Sequence, residues 1–238
     1  MRPFDNKPRA LLFDVFGTVV DWRGSVSKEL RRMGRRLGIE AKWDEIADAW
    51  RAGYRPAMER VTRGEREWQN VDTLHLEILK DVLKAQKIRI AAAELRAINC
   101  AWHRLRPWPD SVPGLTRLKR RFTIGSLSNG NVALLVNLAK AGGLPWDCVL
   151  SAEMFKAYKP DPKVYLGAAQ LLGLLPREVM LVAAHKDDLA AARGCGLQTS
   201  FVKRPLERGR KFVGDLSDDP RAQINAGDFV ALARALGA

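Results

Sequence analysis

The chain has 238 residues, 47% of them hydrophobic, and its 40 Lys and Arg outnumber 27 Asp and Glu for a net charge of +13 at pH 7. That length buries a full core and exceeds the commonest domain size, so one domain with an insertion is expected. No stretch approaches the ~20 apolar residues of a membrane helix, and residues 1–5 lack the apolar core of a secretion signal, so a soluble, cytoplasmic protein is expected.

The first element is the short apolar run Ala10-Leu11-Leu12-Phe13, bounded by Pro8 and Gly17. It reads as the central strand of a parallel sheet covered on both faces. Asp14 follows it directly, at the carboxyl end where open α/β sheets gather their ligands. From residue 21 to about 102 the pattern turns to helical periodicity without a convincing strand, with helices read at 27–33, 43–58, 74–84 and 91–105. The segment 107–114, with three prolines and a glycine, breaks that run. Strands then alternate with helices. Strands are read at 122–127, 148–150, 178–183 and 199–203, and helices at 131–141, 162–172, 188–195 and 229–236, the last capped by Asp228.

This alternation predicts right-handed crossovers and an α/β fold: a doubly wound, Rossmann-like parallel sheet with an inserted all-helical cap domain. The expected division is residues 1–20 and 106–238 for the core and 21–105 for the cap. A cap rooted beside Asp14 is placed to close over the strand ends and exclude water.

The positive charge raises the question of a nucleic-acid partner. Four basic groups occur, at 31–36, 80–89, 117–121 and 204–211, each mixed with the leucines of an amphipathic helix or with turn residues rather than with exposed aromatics. They read as solvated faces, and no nucleic acid is expected. A positive field still draws small anions. Cys100, Cys148 and Cys195 are odd in number and scattered, so they read as free thiols.

Four loops at expected strand ends carry polar residues: Asp14 to Thr18, Ser128-Asn129-Gly130, the stretch from Lys156 through Lys159 to Tyr165, and Ala184-His185-Lys186-Asp187-Asp188. In a parallel sheet they converge on one crevice. Their order and spacing resemble the haloacid dehalogenase superfamily, with its nucleophilic Asp, Ser or Thr, Lys and acidic loop. Phe13-Asp14-Val15-Phe16-Gly17-Thr18, Leu127-Ser128-Asn129-Gly130-Asn131, Tyr158-Lys159-Pro160-Asp161 and Trp50-Arg51 are similar to the L-2-haloacid dehalogenase (type II) branch.

The resemblance implies that Asp14 attacks C2 of an S-configured 2-haloacid, a small anionic substrate, and displaces halide with inversion. The aspartyl ester is then hydrolysed to the R-2-hydroxyacid without cofactor or metal. Ser128, with backbone N–H groups at the start of the following helix, would hold the substrate carboxylate. Lys159 would keep Asp14 ionised, and Arg51 would take the halide. Thr18 and Tyr165 would orient these groups, Asp188 would activate or position water, and Asn129 would fix its loop. Each residue also has a plain structural reading: Ser128 or Thr18 as a cap, Lys159 as a turn residue, Arg51 as a solvated arginine, Tyr165 as packing. Relatives often pair through their helices, so a homodimer is a further expectation.

Two positions steer the chemistry. Phosphatase members place a second Asp two residues after the nucleophile as leaving-group acid, where this chain has Phe16, an apolar wall suited to a carbon–halogen substrate. The last loop, where haloacid dehalogenases place Ser-Asn-x-Trp-Asp, reads Ala184-His185-Lys186-Asp187-Asp188, which puts His185 toward the halide beside Arg51. Fluoroacetate joins chloroacetate as an expected substrate on that account. Asp187 and Asp188 leave a cation site open. The rival readings are a Mg²⁺-dependent phosphatase and a basic binding protein without catalysis.

Overall fold

The computed structural model describes residues 7–209 and 215–238. The segment read for a secretion signal, and Arg210 and Lys211 of the last basic group, lie outside the described residues. In chain order the elements are β1 (Ala10–Phe13), β2 (Val20–Asp21), α1 (Trp22–Leu37), α2 (Trp43–Ala52), α3 (Tyr54–Thr62), α4 (Val71–Ala85) and α5 (Ala92–Asn99). There follow β3 (Arg106–Pro107), α6 (Ser111–Lys119), β4 (Thr123–Ser128), α7 (Val132–Gly142), β5 (Cys148–Ser151), α8 (Pro162–Leu171), β6 (Val179–Ala183), α9 (Lys186–Gly194), β7 (Gln198–Val202), β8 (Ile224–Ala226) and α10 (Phe229–Ala235). Short 3₁₀ turns extend α5 at Cys100–Arg104 and precede α8 and β6.

The main sheet runs β5-β4-β1-β6-β7-β8, with every pairing parallel. β1 lies between β4 and β6, all four of its residues buried. Alternation along the strand divides the core. Leu11 and Phe13 point into a cluster with α6, α7 and α10, and Leu12 points into the opposite cluster with α8 and α9. Helices therefore cover both faces, as a continuous apolar strand requires. The register sets Phe13 opposite Ser126 and Val182, so the loops that leave β1, β4 and β6 open at the same edge.

Helices α1 to α5 are strung between β2 and β3, which pair antiparallel, Val20 with Pro107 and Asp21 with Arg106. This small ladder brings the two ends of the helical segment together beside the β1 turn. Across the carboxyl edge of the sheet, Tyr54 and Met58 of α3 and Val71 and Leu74 of α4 share a cluster with Tyr158. Asp72 of α4 accepts from Asn131, which precedes α7.

Three elements differ from the sequence reading. The helix expected over 43–58 is two helices that break at Gly53. Pro56 has no N–H to donate to the Ala52 carbonyl and its ring crowds that oxygen, so a straight helix cannot pass. A helix, α6, starts inside the proline-rich boundary, because Pro113 falls in its first turn, where no intrahelical donor is needed. β8 escaped notice because it is a three-residue edge strand, Ile224-Asn225-Ala226, too short for a periodicity. Among the described residues, no helix is long and apolar enough to cross a membrane.

Candidate active site

The site is built outward from Asp14, the residue after β1, whose backbone N–H extends the strand by donating to the Val182 carbonyl at 3.0 Å. The chain then turns through Gly17 at φ +90°, a conformation that costs a side-chain-bearing residue dearly. A Cβ there would also collide with the Glu207 carboxylate. The turn carries Thr18 back under Asp14. Thr18 Oγ1 accepts from the Ala184 N–H at 2.9 Å, so its hydrogen is directed to Asp14 Oδ2 at 2.7 Å.

Two cations complete the surroundings of Asp14. Lys159 Nζ donates to Asp14 Oδ1 at 3.0 Å and to Asp188 Oδ2 at 2.5 Å, with side-chain exposures of 8%, 11% and 10% for Lys159, Asp14 and Asp188. His185 stands on the other oxygen, its Nδ1 3.1 Å from Asp14 Oδ2 and its Nε2 3.1 Å from Glu207 Oε1. Trp22 Nε1 donates to the same Glu207 oxygen at 3.2 Å. Tyr165, fully buried, donates its hydroxyl to Asp188 Oδ1 at 2.6 Å.

The titration of these groups follows from a contest between burial and charge. Burial works to raise the Asp14 pKa, but Lys159 and His185 outweigh it and hold the carboxyl ionised far below its usual range. Burial would strip the proton from His185, yet its bonds to Asp14 and Glu207 push it up to about 10. Lys159 is likewise held protonated, burial being overcome by Asp14 and Asp188. Asp188 goes the other way: burial raises it, Lys159 only partly offsets that, and Asp14 adds to the rise.

A cavity of about 930 Å³ opens beside Asp14. Its near wall is aromatic: Phe16, Trp22 and Tyr54, with the Arg51 guanidinium over all three rings at 5.9, 5.6 and 4.5 Å from their centroids. Arg51 is thus turned inward onto the rings. Ser128 is buried and its Oγ accepts from the Gly130 N–H at 3.1 Å, leaving its own hydrogen for an acceptor in the cavity. Asn129 braces its neighbour loop by accepting from the Lys159 N–H at 2.7 Å. Two backbone amides near the start of α7 are already engaged, Gly130 by Ser128 and Val132 by Glu153.

Cation holding is limited by these pairings. Asp14 and Asp188 are bridged by the Lys159 ammonium, and Asp187 is paired with Arg55 of α3 at 2.5 Å. Among the described residues, no group of three or more His, Cys, Asp or Glu side chains is arranged to hold a metal ion.

A family model for haloacid dehalogenase-like hydrolases matches residues 8–196, from before β1 to the end of α9. The chain belongs to that family. It is 31% identical over 202 residues to (S)-2-haloacid dehalogenase 1 of Pseudomonas sp. (strain CBS-3), covering 82% of this chain and 85% of that one. The crystal structure of a defluorinating L-2-haloacid dehalogenase superposes with a TM-score of 0.95 at 46% identity, over 97% of this chain and 96% of that chain. A second L-2-haloacid dehalogenase structure gives 0.94 at 46% identity, over 97% and 99%.

In this hydrolase Asp14, Thr18, Lys159, Asp188, Tyr165 and His185 form one connected network, while Phe16, Arg51, Ser128 and Asn129 line the cavity beside it. His185 differs from the expectation in one respect: both ring nitrogens are occupied by carboxylates, so it has no donor left for a halide. Glu207 and Tyr54 went unread. Glu207 sits in a basic stretch 22 positions after His185 with no motif around it, and only the fold brings it to the Gly17 turn. Tyr54 lies three residues after Arg51, a helical spacing that was open to inspection.

Proposed function

We propose that the protein hydrolyses short (S)-2-haloacids and haloacetates to 2-hydroxyacids through an ester on Asp14. The observation that carries this reading is the pairing of an ionised, doubly clamped Asp14 with an aromatic wall that begins at Phe16, where a phosphatase needs a leaving-group acid. Phe16 has no proton to give, and a wall of rings suits a carbon–halogen bond better than a highly charged phosphoryl group. The phosphatase and binding-protein readings have no comparable support.

The two oxygens of Asp14 are unequal. Among the described residues, Oδ2 has both lone pairs engaged, by Thr18 and His185, whereas Oδ1 accepts only from Lys159. Oδ1 is therefore the attacking atom. It forms a bond to C2 as the halogen leaves with the bonding electrons toward Arg51, while Ser128 holds the substrate carboxylate. In the ester, Oδ2 is the carbonyl oxygen, and Thr18 and the His185 imidazolium become the donors that stabilise the oxyanion when water adds to Cγ. Asp188, with its raised pKa, takes the proton from that water, held in line by Lys159 and Tyr165, and returns it to Oδ1 as the Cγ–Oδ1 bond breaks and the 2-hydroxyacid leaves, which restores both carboxylates. Glu207 keeps His185 charged.

Residues 21–105 act as the cap, closing over the strand ends through α3 and α4. The proposal includes a cytoplasmic enzyme that pairs as a homodimer and binds no nucleic acid, checked by cell fractionation, sedimentation velocity and a salt-titrated DNA-binding assay. The central test is a single turnover of chloroacetate in ¹⁸O water followed by mass analysis of the peptide that contains Asp14. Label in the Asp14 carboxylate is expected, since water attacks its carbonyl carbon; label confined to glycolate would mean direct attack by water and would overturn the reading.

A further inference from the structure

Halide departure needs hydrogen-bond donors on the far side of the breaking bond, and fluoride, the smallest and most basic halide, needs them most. Arg51 is one donor. With both nitrogens of His185 engaged, a second must come from elsewhere.

Beside Arg51 stands Tyr54, buried to 6% exposure and lining the same cavity as Asp14. Its hydroxyl and Arg51 Nη1 are both shut off from solvent, and although Arg51 lies within reach of the Tyr54 oxygen, neither donor makes a well-formed hydrogen bond among the described residues. A buried donor of this kind is seldom left unpaired in a native site, and two in contact point to a shared acceptor that the protein does not supply. Around the phenol, Phe16 stands edge-on at 6.4 Å, and His75 packs at 5.3 Å with neither ring nitrogen hydrogen-bonded among the described residues. Asp14 and Lys159, which line the same cavity, lie close enough to influence the phenol.

We infer that the Tyr54 hydroxyl is the second halide donor, and that with Arg51 it forms the cradle that lets the enzyme expel fluoride as well as chloride. The inference rests on the dehalogenase reading above. In the step itself, Asp14 Oδ1 forms the C2–O bond while the C–F electrons leave on fluoride. Tyr54 gives a hydrogen bond and keeps its proton. Burial, with a smaller contribution from Asp14, raises its pKa to about 12, so it remains a donor throughout the working pH range. Chloride, larger and more diffuse, gains less from a short O–H contact.

The test is the ratio of kcat/KM for fluoroacetate to that for chloroacetate, read by halide-selective electrodes for the wild type and Tyr54→Phe. Loss of one hydrogen bond to a developing charge predicts that the ratio falls about 10- to 100-fold. An unchanged ratio in a variant that still releases chloride overturns the inference, as does a wild type that releases chloride but no fluoride. A wild type that releases neither halide sinks the dehalogenase reading instead. Should Tyr54→Phe release neither, 3-fluorotyrosine at position 54 carries the test, since it strengthens the donor with little change of shape. A higher ratio is then expected, and an unchanged one overturns the inference.

Discussion

At the scale of single residues, the behaviour of the site turns on His185. Its imidazole is held between Asp14 and Glu207, and its pKa rises from an ordinary 6.5 to about 10 in the folded protein. The sign is that of a raised pKa. The stabilisation it brings to the fold is complete below about pH 6.5 and is lost as the pH climbs through about 10. Because the imidazolium is proposed to support the ester carbonyl, kcat/KM should fall on the alkaline side near pH 10. The limb in kcat should lie lower, because alkylation of Asp14 removes one of the two charges that hold the proton. Paired pH profiles of kcat and kcat/KM check this, and coincident limbs would rule out the assignment. Glu207→Gln should shift both limbs toward neutrality, since it takes away the other charge.

At the scale of elements, the turn after β1 does more than end a strand. Gly17 adopts φ +90° and leaves space that the Glu207 carboxylate fills. Gly17→Ala should destabilise the protein by about 1–3 kcal/mol in urea unfolding, from the unfavourable backbone angle and the overlap together. The displaced Glu207 should lower the alkaline limb of the rate profile as well. A variant with normal stability and an unmoved limb would contradict both halves of the argument. The break at Gly53 is the other element-scale decision. By ending α2 at Ala52 and restarting the chain as α3, it makes Tyr54 the first residue of the new helix.

For the whole molecule, the parallel order β5-β4-β1-β6-β7-β8 puts Asp14, Ser128 and His185 at one edge, and residues of α3 and α4 pack with Tyr158 across it. The ammonium of Lys159 occupies the space between the two carboxylates that would otherwise share a cation. Haloacid turnover should therefore be unaffected by millimolar EDTA, and loss of at least half the rate, restored by Mg²⁺, would refute that account. The net charge of +13 adds a field that favours entry of an anionic substrate without specifying which one.

Much of this was legible in the sequence, and for identifiable reasons. β1 announces itself because a strand buried on both faces is a continuous apolar run, and Asp14 follows from its place at the end of that run, while Lys159 and Asp188 were legible through the motifs that resemble the superfamily. Phe16 excludes a leaving-group acid by its chemistry alone. Local rules also contained the break at Gly53, through Pro56, although the periodicity of 43–58 hid it. Tertiary structure alone decided which partners His185 would take, because Glu207 is brought to it by packing across the Gly17 turn and no local pattern records that. It decided too that Arg51 and Tyr54 would face one cavity with donors unpaired. Strand ends and residue types are properties of short stretches of chain, whereas hydrogen-bond partners chosen across a fold depend on where distant segments come to rest.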